Sequence, residues 1–477
     1  MRKKGSVTVF LTLILSLLLS LICASIESVR MASARTQILN GMDIGLYSLF
    51  GQYDKELLTD YNLFALDGSR GGGQLDLAAV CDELEAYMNP VLKQNSQKLM
   101  LCQSGLTGYR LLTDQKGEVF YQQIVGYMQE TLGSQGIQLL LGRMSERQEK
   151  TAQADQSANQ AQSKGSIDRY DSEMNQASEK SQQAAEEAQV VPQAPPAKNP
   201  ITIMKRIMKR GVLELVLPGG NGLSTKEIEK GTLVSGRGLQ QGMEMPDGMT
   251  VENSYTSEVL FQQYLMEHLG SYAEPSSTGL AYQVEYIFGG KDSDEDNLKA
   301  VASKLLFIRE GVNFACLMAD NVKRSEAQAL ATAIASGFLV PPAAVIIEAA
   351  LILCWAFAES VLDVRELFAG GRIPLVKSSG DWQISLENLP DLMEGLDSMR
   401  RNDEQGMSYK DYLQVLVLTV SKEKKVMRAM DMIENTIREK GRKNFCMDSC
   451  IVALEAFADV KANKKKDFQV IRQYCYE

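Results

Sequence analysis

An uncharged apolar run dominates the hydrophobic pattern at the N-terminus. Residues 6–26 contain no Asp, Glu, Lys or Arg, and Gly5 separates them from three basic residues at 2–4. As a helix this run matches the roughly 20 residues that cross a bilayer core, and it exceeds the roughly 7–15 apolar residues of a secretory signal peptide. We therefore predict a basic leader at 1–5 and a transmembrane helix at 6–26. A cleaved signal peptide is the alternative, because Ala24 and Ser25 are small enough for a peptidase.

The pattern then becomes amphipathic and mostly helical. Apolar residues recur at helical spacing as far as Leu39, and Asn40-Gly41 is typical of a helix end. Three consecutive glycines at 71–73 predict a break between helices. We therefore assign residues 27–142 to a helical membrane-proximal region.

A long stretch without large apolar side chains follows. Residues 143–189 are mostly Ala, Gln, Ser, Glu and Lys, which bury too little surface to offset the entropy of ordering the chain. Because Ala, Gln and Glu favour helix, the stretch is either a solvated helix or a disordered tether. Prolines between 192 and 200 would end a helix and stiffen the chain. We place a linker at 143–200 and a second domain, of α+β type, at 201–477.

Helical and two-residue periods mix within the second domain. The alternation from Leu280 to Phe288 predicts a strand, and apolar spacings of 3, 4 and 3 predict a helix at 297–310 with Asp296 as its N-cap. A basic amphipathic helix is predicted at 201–217, where it either contacts an anionic membrane or packs on the domain. Short extended segments are predicted at 372–377 and 381–386, a capping box of Ser408 and Asp411 before a helix that reaches Val420, and a helix at 426–437 that ends near Gly441. The last predicted element is an antiparallel hairpin at 452–472, with a helix as the alternative for residues 453–460.

A second apolar segment, 327–358, is interrupted by Pro341-Pro342 and carries one acid, Glu348. It is either a buried helical hairpin or a membrane insertion. A carboxylate at the bilayer centre costs about 2.5–3.5 kcal/mol on insertion scales, and residues 343–358 are short for a span. The buried hairpin is favoured, with Glu348 as an unusual buried acid. Insertion would place the C-terminus on the opposite side of the membrane.

Composition narrows the classes of function. Asp and Glu number 60 against 50 Lys and Arg, which gives a formal net charge of −10. This negative charge argues against non-specific binding of nucleic acid, because such binding depends on Lys and Arg contacts to phosphate. His268 is the single histidine, which excludes any site that needs two. No constellation of nucleophile, base and acid stands at a recognisable spacing. We therefore expect a protein that is not an enzyme, uses no cofactor and takes no small-molecule substrate.

Three other groups are weak candidates for chemistry. Asp292, Asp294 and Asp296 begin like a calcium loop, but position six is not Gly and position twelve is not Glu. Cys446 and Cys450 have the spacing of one zinc-ligand pair, but no second pair follows. We interpret the acids as a solvated turn and His268 as a surface or capping residue.

The N-terminal junction resembles a known leader. Residues 4–10, Lys-Gly-Ser-Val-Thr-Val-Phe, are similar to the leader junction of Tad-type (tight adherence) pseudopilins, in which a prepilin peptidase cuts after a Gly that follows basic residues. The resemblance implies cleavage between Gly5 and Ser6. Those pilins usually carry Glu at the fifth position after the cut, where this chain has Phe10, so an intact leader is the alternative. A membrane helix that continues as a soluble amphipathic helix is also how pilin-like subunits are built.

A second resemblance covers most of the chain. The segments that carry it are Tyr53-Asp54, Leu57, Tyr61 and Leu63-Phe64; Tyr286 to Lys291 with Asn297-Leu298; Arg309 to Asn313; Trp355-Ala356 with Glu359 and Asp363; and Tyr409 to Leu413. They resemble segments of an uncharacterised Gram-positive family of unknown function that is often encoded beside Tad-type pilus genes. The resemblance implies a location at the cell envelope and no established activity.

Together these patterns predict a predominantly helical α+β protein with an N-terminal transmembrane helix and an extracytoplasmic domain that has a few short antiparallel strands. The expected function is a membrane-anchored structural or accessory component of a Tad-like pilus or secretion apparatus. Its expected partners are membrane lipid, through residues 6–26, and other envelope or pilus-assembly proteins. The alternatives are an envelope sensor or sorting factor unrelated to pili, and an envelope hydrolase that uses carboxylates.

We expect the mature chain to retain residues 6–26, because this run is long enough to stay in the bilayer. Intact-mass spectrometry of protein extracted from membranes should therefore show a chain that begins at Met1, or at Ser6 where a prepilin peptidase acts. A chain that begins near residue 25 would contradict the anchor.

Overall fold

The structure is a computed structural model of the chain. It describes residues 4–94, 99–164, 200–217, 222–243, 254–337, 343–375, 379–391, 406–462 and 466–476, with single residues such as Lys377 between them.

Helices form most of the described chain, and the strands are antiparallel. The helices are α1 (Lys4–Phe50), α2 (Lys55–Tyr61), α3 (Leu77–Lys93), α4 (Asp114–Lys164), α5 (Pro200–Met208), α6 (Val212–Val216), α7 (Tyr255–His268), α8 (Gln283–Gly289), α9 (Asp294–Ala319), α10 (Asn321–Gly337), α11 (Ala344–Phe368), α12 (Tyr409–Leu418) and α13 (Lys422–Glu439). The strands are β1 (Leu66–Asp67), β2 (Leu99–Leu111), β3 (Arg372–Ile373), β4 (Met407–Ser408), β5 (Cys450–Ala462) and β6 (Lys466–Cys475). The predicted fold class, helical α+β with a few antiparallel strands, is confirmed.

Two compact units are built from segments that are not contiguous in the chain. Unit 1 comprises Met1–Tyr127, Gly231–Glu252 and Ile433–Glu477, and unit 2 comprises Met128–Lys230 and Asn253–Met432. The linear boundaries expected from composition stay predictions.

Unit 1 is organised around α1, which is one continuous helix. The predicted end at Asn40-Gly41 was wrong, because α1 continues to Phe50. A Cβ on Gly45 would lie 2.7 Å from Cγ of Met88, and one on Gly41 would lie 3.3 Å from Cδ2 of Leu92. The glycines therefore let α3 pack closely on α1. Among the described residues, Val7–Phe50 contains an apolar window with no buried residue that could span a membrane.

The distal half of α1 and α3 pack on an antiparallel sheet. Strand β5 is central, with β2 on one side and with β1 and β6 on the other. The residues that share the buried interior include Ile38, Met42 and Leu46 of α1, Leu84 and Met88 of α3, and Leu454, Ala456, Ala458 and Val460 of β5. The predicted C-terminal hairpin and its two-residue period are thus confirmed, whereas β2 lies in a region that was expected to be helical.

Unit 2 is built on helices α9 to α11, and its first correction concerns residues 280–288. This segment was predicted as a strand, but it contains α8, which ends at Gly290 in the left-handed conformation. All residues from 281 to 287 are buried. A two-residue period therefore arose by chance in a short helix that is covered on every side.

The predicted helix at 297–310 is confirmed within the longer α9. Its apolar stripe, Leu298, Val301, Leu305 and Ile308, is fully buried. The predicted N-cap was wrong, because Ser293 rather than Asp296 caps the helix.

The segment 327–358 forms parts of α10 and α11, which pack on each other. Residues 344–368 are apolar enough to span a membrane, but 78% of their most apolar stretch is buried inside the protein. This burial supports the hairpin interpretation. The predicted proline interruption at 341–342 lies outside the described residues.

The other predicted elements of unit 2 are largely as expected. Helix α5 packs its apolar face, Ile201, Met204 and Ile207, into the unit, and the capping box of Ser408 and Asp411 begins α12. Strand β3 covers the start of the extended segment at 372–377, whereas 381–386 forms no strand.

Candidate functional site

Glu348, the acid singled out from the sequence, is only partly buried. Its side chain is 12% exposed, and Oε1 lies 3.2 Å from Nε of Arg324, which is 50% exposed. Because these residues belong to α11 and α10, the pair joins the two helices of the hairpin. Glu348 is therefore an ordinary ion-paired residue, not the buried acid that was predicted.

The three aspartates of the D-x-D-x-D pattern do not converge on one point. Asp292 pairs with Lys230 at 2.7 Å, while Asp294 is buried and accepts the backbone N–H groups of residues 281 and 282. Asp296 accepts a hydrogen bond from Ser293. These contacts make the segment a helix start, as the solvated-turn interpretation predicted in part.

The cysteines and the histidine are also dispersed. Cys446 precedes a short 3₁₀ turn, and Cys450 begins β5, both with free thiols. His268 ends α7, where its ring stacks on Tyr264 at a centroid distance of 4.1 Å. Burial lowers the pKa of His268. Within the described residues, no group of three His, Cys, Asp or Glu side chains could hold a metal ion.

Gly5 and Ser6 lie in the first turns of α1. Their position in the helix does not test cleavage between Gly5 and Ser6, which stays a prediction.

The structure instead brings four charged side chains together in the core of unit 2. Asp363 of α11 accepts hydrogen bonds from Nε and Nη2 of Arg309 at 2.9 and 2.8 Å. Nζ of Lys377 lies 2.5 Å from Oδ1 of Asp363 and 2.5 Å from Oε1 of Glu359. All four residues are buried. Two cations and two anions cancel in charge, so none of them is left as an isolated charge in the interior.

Neutral groups complete this charge network. Nη1 of Arg309 donates to the carbonyls of Pro374 and Leu375 at 3.0 and 2.8 Å. Nδ2 of Asn313 donates to Oδ2 of Asp363 at 3.0 Å. Hydrogen bonding on this scale is the condition under which a buried ion pair is tolerated.

The network fastens the segment after β3 to α11. Oε2 of Glu359 accepts the backbone N–H of Ile384 at 3.1 Å. One helical turn earlier, Nε1 of Trp355 donates to the carbonyl of Ile384 at 2.7 Å. The ring of Trp382 meets that of Trp355 edge-on at 5.9 Å. The charges therefore fix where this segment runs across the helices.

Electrostatics reinforce the ionised forms of this network. Burial alone would raise the pKa of Asp363, but Arg309 and Lys377 hold it below its ordinary value. Burial would likewise lower the pKa of Arg309, but Asp363 and Tyr412 together raise it above its ordinary value. A closed network whose charges are neutralised is suited to positioning structure. It offers no exposed nucleophile or base.

Glu285 forms a second buried polar centre in unit 2. Its Oε1 accepts the N–H of Tyr272 at 2.8 Å and the O–H of Tyr409 at 2.6 Å, while Oε2 has no hydrogen-bond partner among the described residues. Burial raises the pKa of Glu285 to about 7, despite these hydrogen bonds, and Asp294 adds to the rise. The carboxyl is therefore poised to be protonated near neutral pH.

A tight turn joins α8 to α9. Gly290 has φ of 61°, and a Cβ there would clash with the guanidinium of Arg428. Arg428 donates from Nη1 to the carbonyl of Ile287 at 2.7 Å. Asn297 brackets the turn, since its side chain bonds both the N–H and the carbonyl of Lys291 at 2.7 and 2.9 Å.

Unit 1 has its own charged centre at Arg442. Asp54 caps α2 by accepting the N–H of Glu56 at 3.0 Å and also pairs with Arg442. Nη2 of Arg442 lies 3.0 Å from Oδ2 of Asp67. One guanidinium thus ties the C-terminal part of the unit to the loop after α1.

Sequence reasoning missed the roles of Lys377 and Glu285. Glu359 and Asp363 stand four residues apart in an apolar helix, which places both on one face, and this spacing was the available signal for a buried charge pair. Lys377 came from a segment predicted only as extended. Glu285 lies within the segment that was predicted as a strand but forms a helix, so its burial could not be foreseen.

The fold and these centres define a predominantly helical α+β protein with an N-terminal helix that could span a membrane and a charge-neutralised core. Residues 192–462, more than half of the 477, match a family of unknown function, DUF5702. The chain belongs to this family, which confirms the expectation of an uncharacterised domain family. No curated protein and no solved structure matches the chain.

We expect Lys377→Met to lower the free energy of unfolding of unit 2 by about 3–5 kcal/mol, because it leaves Glu359 without its cation in the interior. Both tryptophans of the chain, Trp355 and Trp382, lie in this unit, so urea titration followed by tryptophan fluorescence measures its unfolding in the full detergent-solubilised chain. The matched control is Lys410→Met, which removes an exposed pair with Glu274 and should change stability by less than about 1 kcal/mol.

A second variant tests the cause. Adding Glu359→Gln to Lys377→Met removes the orphaned charge and should recover most of the loss. Equal instability of the single and double variants would show that packing, not charge, dominates the effect.

We expect the stability of unit 2 to fall between about pH 4.5 and 7 through Glu285. The folded pKa, about 7, is above the ordinary 4.5, so the native state holds the proton more tightly and its advantage is lost as pH rises through that window. Glu285→Gln keeps the oxygen that accepts both hydrogen bonds. From pH 4.5 to 8 the wild type should lose about 3 kcal/mol relative to this variant, measured by the same titration. Parallel pH profiles for the two proteins would refute the prediction.

Proposed function

We propose that the protein is a membrane-anchored, non-catalytic structural or accessory component of a Tad-like pilus or secretion apparatus. In this proposal the leader lies in the cytoplasm, residues 6–26 cross the cell membrane, and the rest of unit 1 and all of unit 2 lie outside it. Its partners are membrane lipid and other envelope or pilus-assembly proteins.

The observation that carries the proposal is the division of α1 into two halves. Apolar side chains from Val7 to Ile26 are exposed, for example Leu17 at 67%. From Ala34 onward, one face of the same helix is buried against α3 and the sheet. An apolar rod continued by a helix that packs on an antiparallel sheet suits a subunit that is held in a membrane and presents a folded part outside it.

The chemistry of the interior supports a role without catalysis. The charge network of Arg309, Glu359, Asp363 and Lys377 is buried and internally neutralised, and it holds backbone in place. The second buried centre, Glu285, is hydrogen-bonded to a tyrosine and a backbone amide. Both arrangements stabilise a shape that other proteins can recognise.

We expect a photo-cross-linking residue at position 17 to link the full-length chain to Tad-type pilus components in intact cells, because exposed apolar side chains of an anchor pack on other membrane helices. Replacing residues 7–26 with a leucine-rich helix of equal length should keep the protein in the membrane but abolish these links. The control carries the cross-linker at Val322, which is 70% exposed in unit 2. Recovery of partners unrelated to pili, with no pilus component, would favour a sensor or sorting factor instead.

The same cells test the topology. In a chain with Ser at exposed Cys102 and Cys475, Val322→Cys and Glu387→Cys flank α11 and should both react with a membrane-impermeant maleimide from outside. Labelling at 322 without labelling at 387 would show that α11 crosses the membrane.

A further inference from the structure

Unit 1 contains a cleft between α1 and strand β6. Its volume is about 440 Å³. It is lined by Asp43, Ile44, Leu46, Tyr47, Gln473 and Tyr474. Ile44 is 48% exposed and Tyr47 is 69% exposed, so large apolar surface faces this cleft without cover.

The cleft runs beside a free sheet edge. Strand β6 pairs with β5 in unbroken register from Cys475 to Lys466, and no other described strand pairs with it. The N–H of Tyr476 donates to the carbonyl of Val452 at 3.1 Å. In an antiparallel pair, the N–H and C=O groups of successive residues point alternately toward and away from the partner strand. Because Tyr476 bonds to β5, residues 469, 471 and 473 point their N–H and C=O groups away from β5.

The opposite edge of the sheet is protected. Strand β2 has three register shifts against β5, and the N–H of Met243 donates to the carbonyl of Tyr109 at 2.9 Å. Bulges and covering segments are the usual defences of an edge. Strand β6 has neither a register shift nor a proline, so its edge is regular and open to another strand.

Lipid does not suit this cleft. At a rise of about 1.5 Å per residue, Ile44 lies about 27 Å along α1 beyond residue 26, where the predicted span ends. A second copy of β6 does not suit it either. Asp43 contacts Arg472 and Tyr47 contacts Tyr474, so α1 runs in the same direction as β6. A symmetric pair of β6 edges would be antiparallel and would point the two anchors in opposite directions.

We propose that the cleft and edge together bind an extended peptide segment of a partner protein, which adds to β6 as a further strand. The outward N–H and C=O groups of β6 can form hydrogen bonds with the backbone of an added strand. Side chains alternate between the two faces of a strand, so every second residue of the peptide enters the cleft. Among the described residues that line the cleft, Asp43 alone is charged, and it is already paired with Arg472 at 3.0 Å. The recognised side chains are therefore uncharged and apolar. This inference does not depend on which apparatus the protein serves.

The test uses the full chain in lipid nanodiscs and a phage-displayed library of random dodecapeptides, counter-selected on Ile44→Lys. The expected peptides carry apolar residues at alternating positions. The most enriched peptide is then synthesised with a fluorescent label, and its Kd is measured by anisotropy.

Two pairs of variants separate the contributions to binding. Gln473→Pro and Gln473→Ala remove the same lining side chain and keep the bonds to β5, but only the Pro variant also loses the outward N–H. The peptide should therefore bind Gln473→Pro at least tenfold more weakly than it binds Gln473→Ala. Ile44→Lys should also weaken binding at least tenfold, and Val322→Lys, on unit 2, should not. Continued protection of β5 amides in hydrogen exchange shows that the Pro variant keeps its sheet.

Three results would overturn the proposal. They are failure of the library to enrich any alternating peptide, equal affinity of the Pro and Ala variants, and disulfide formation between copies of Ile471→Cys in native membranes, which would make a second copy the occupant. Pilus recovery in cells is measured separately, so failure of one experiment does not decide the other.

Discussion

The need to neutralise two carboxylates on one helix governs unit 2. Glu359 and Asp363 lie on the same face of α11, within a stretch from Ala350 to Arg365 that is buried throughout. An uncompensated carboxylate in that position would be shifted to its neutral form or would destabilise the fold. Arg309 and Lys377 supply the compensation, and they come from α9 and from the segment after β3. The network thereby determines which elements must meet, beyond what apolar packing alone specifies.

The same constraint explains why α11, an apolar helix of 25 residues, is stable in a protein interior. By hydropathy α11 resembles a membrane span. However, its charged residues are satisfied by partners within unit 2, and Arg365 donates to the carbonyl of Leu215 at 3.1 Å. In α1 the apolar window is not covered by other described residues, and hydroxyl groups such as that of Ser16 donate to carbonyls of the same helix. Two helices of high hydropathy therefore have opposite surroundings: α11 bonds to other elements of unit 2, whereas the apolar half of α1 is left exposed.

Elements whose apolar residues recur at a regular spacing could be predicted well from the sequence. The candidate site could not. The apolar stripe of α9, the capping box at Ser408 and the C-terminal hairpin follow from local spacing, and local spacing is visible in one sequence. The strand predicted at 280–288 failed because burial on all sides of α8 erased the helical period. The site could not be assembled in advance because Arg309, Glu359 and Lys377 are far apart in sequence, and no local pattern encodes which charges will meet. The end predicted for α1 at Gly41 failed for a related reason, since that glycine serves contact with α3.

Continuity of α1 has a mechanical consequence. Its 47 residues contain no proline, so the helix is a stiff rod about 70 Å long at about 1.5 Å rise per residue. With Gly41 and Gly45 held against α3, the rod has no free hinge where it meets the sheet. Tilting the exposed apolar end about residue 26 by about 10° would therefore swing the ring of Tyr47 by about 5 Å, because the helix between residues 26 and 47 is about 32 Å long. A tilt of the apolar half of α1 is in this way converted into displacement of the folded part of unit 1.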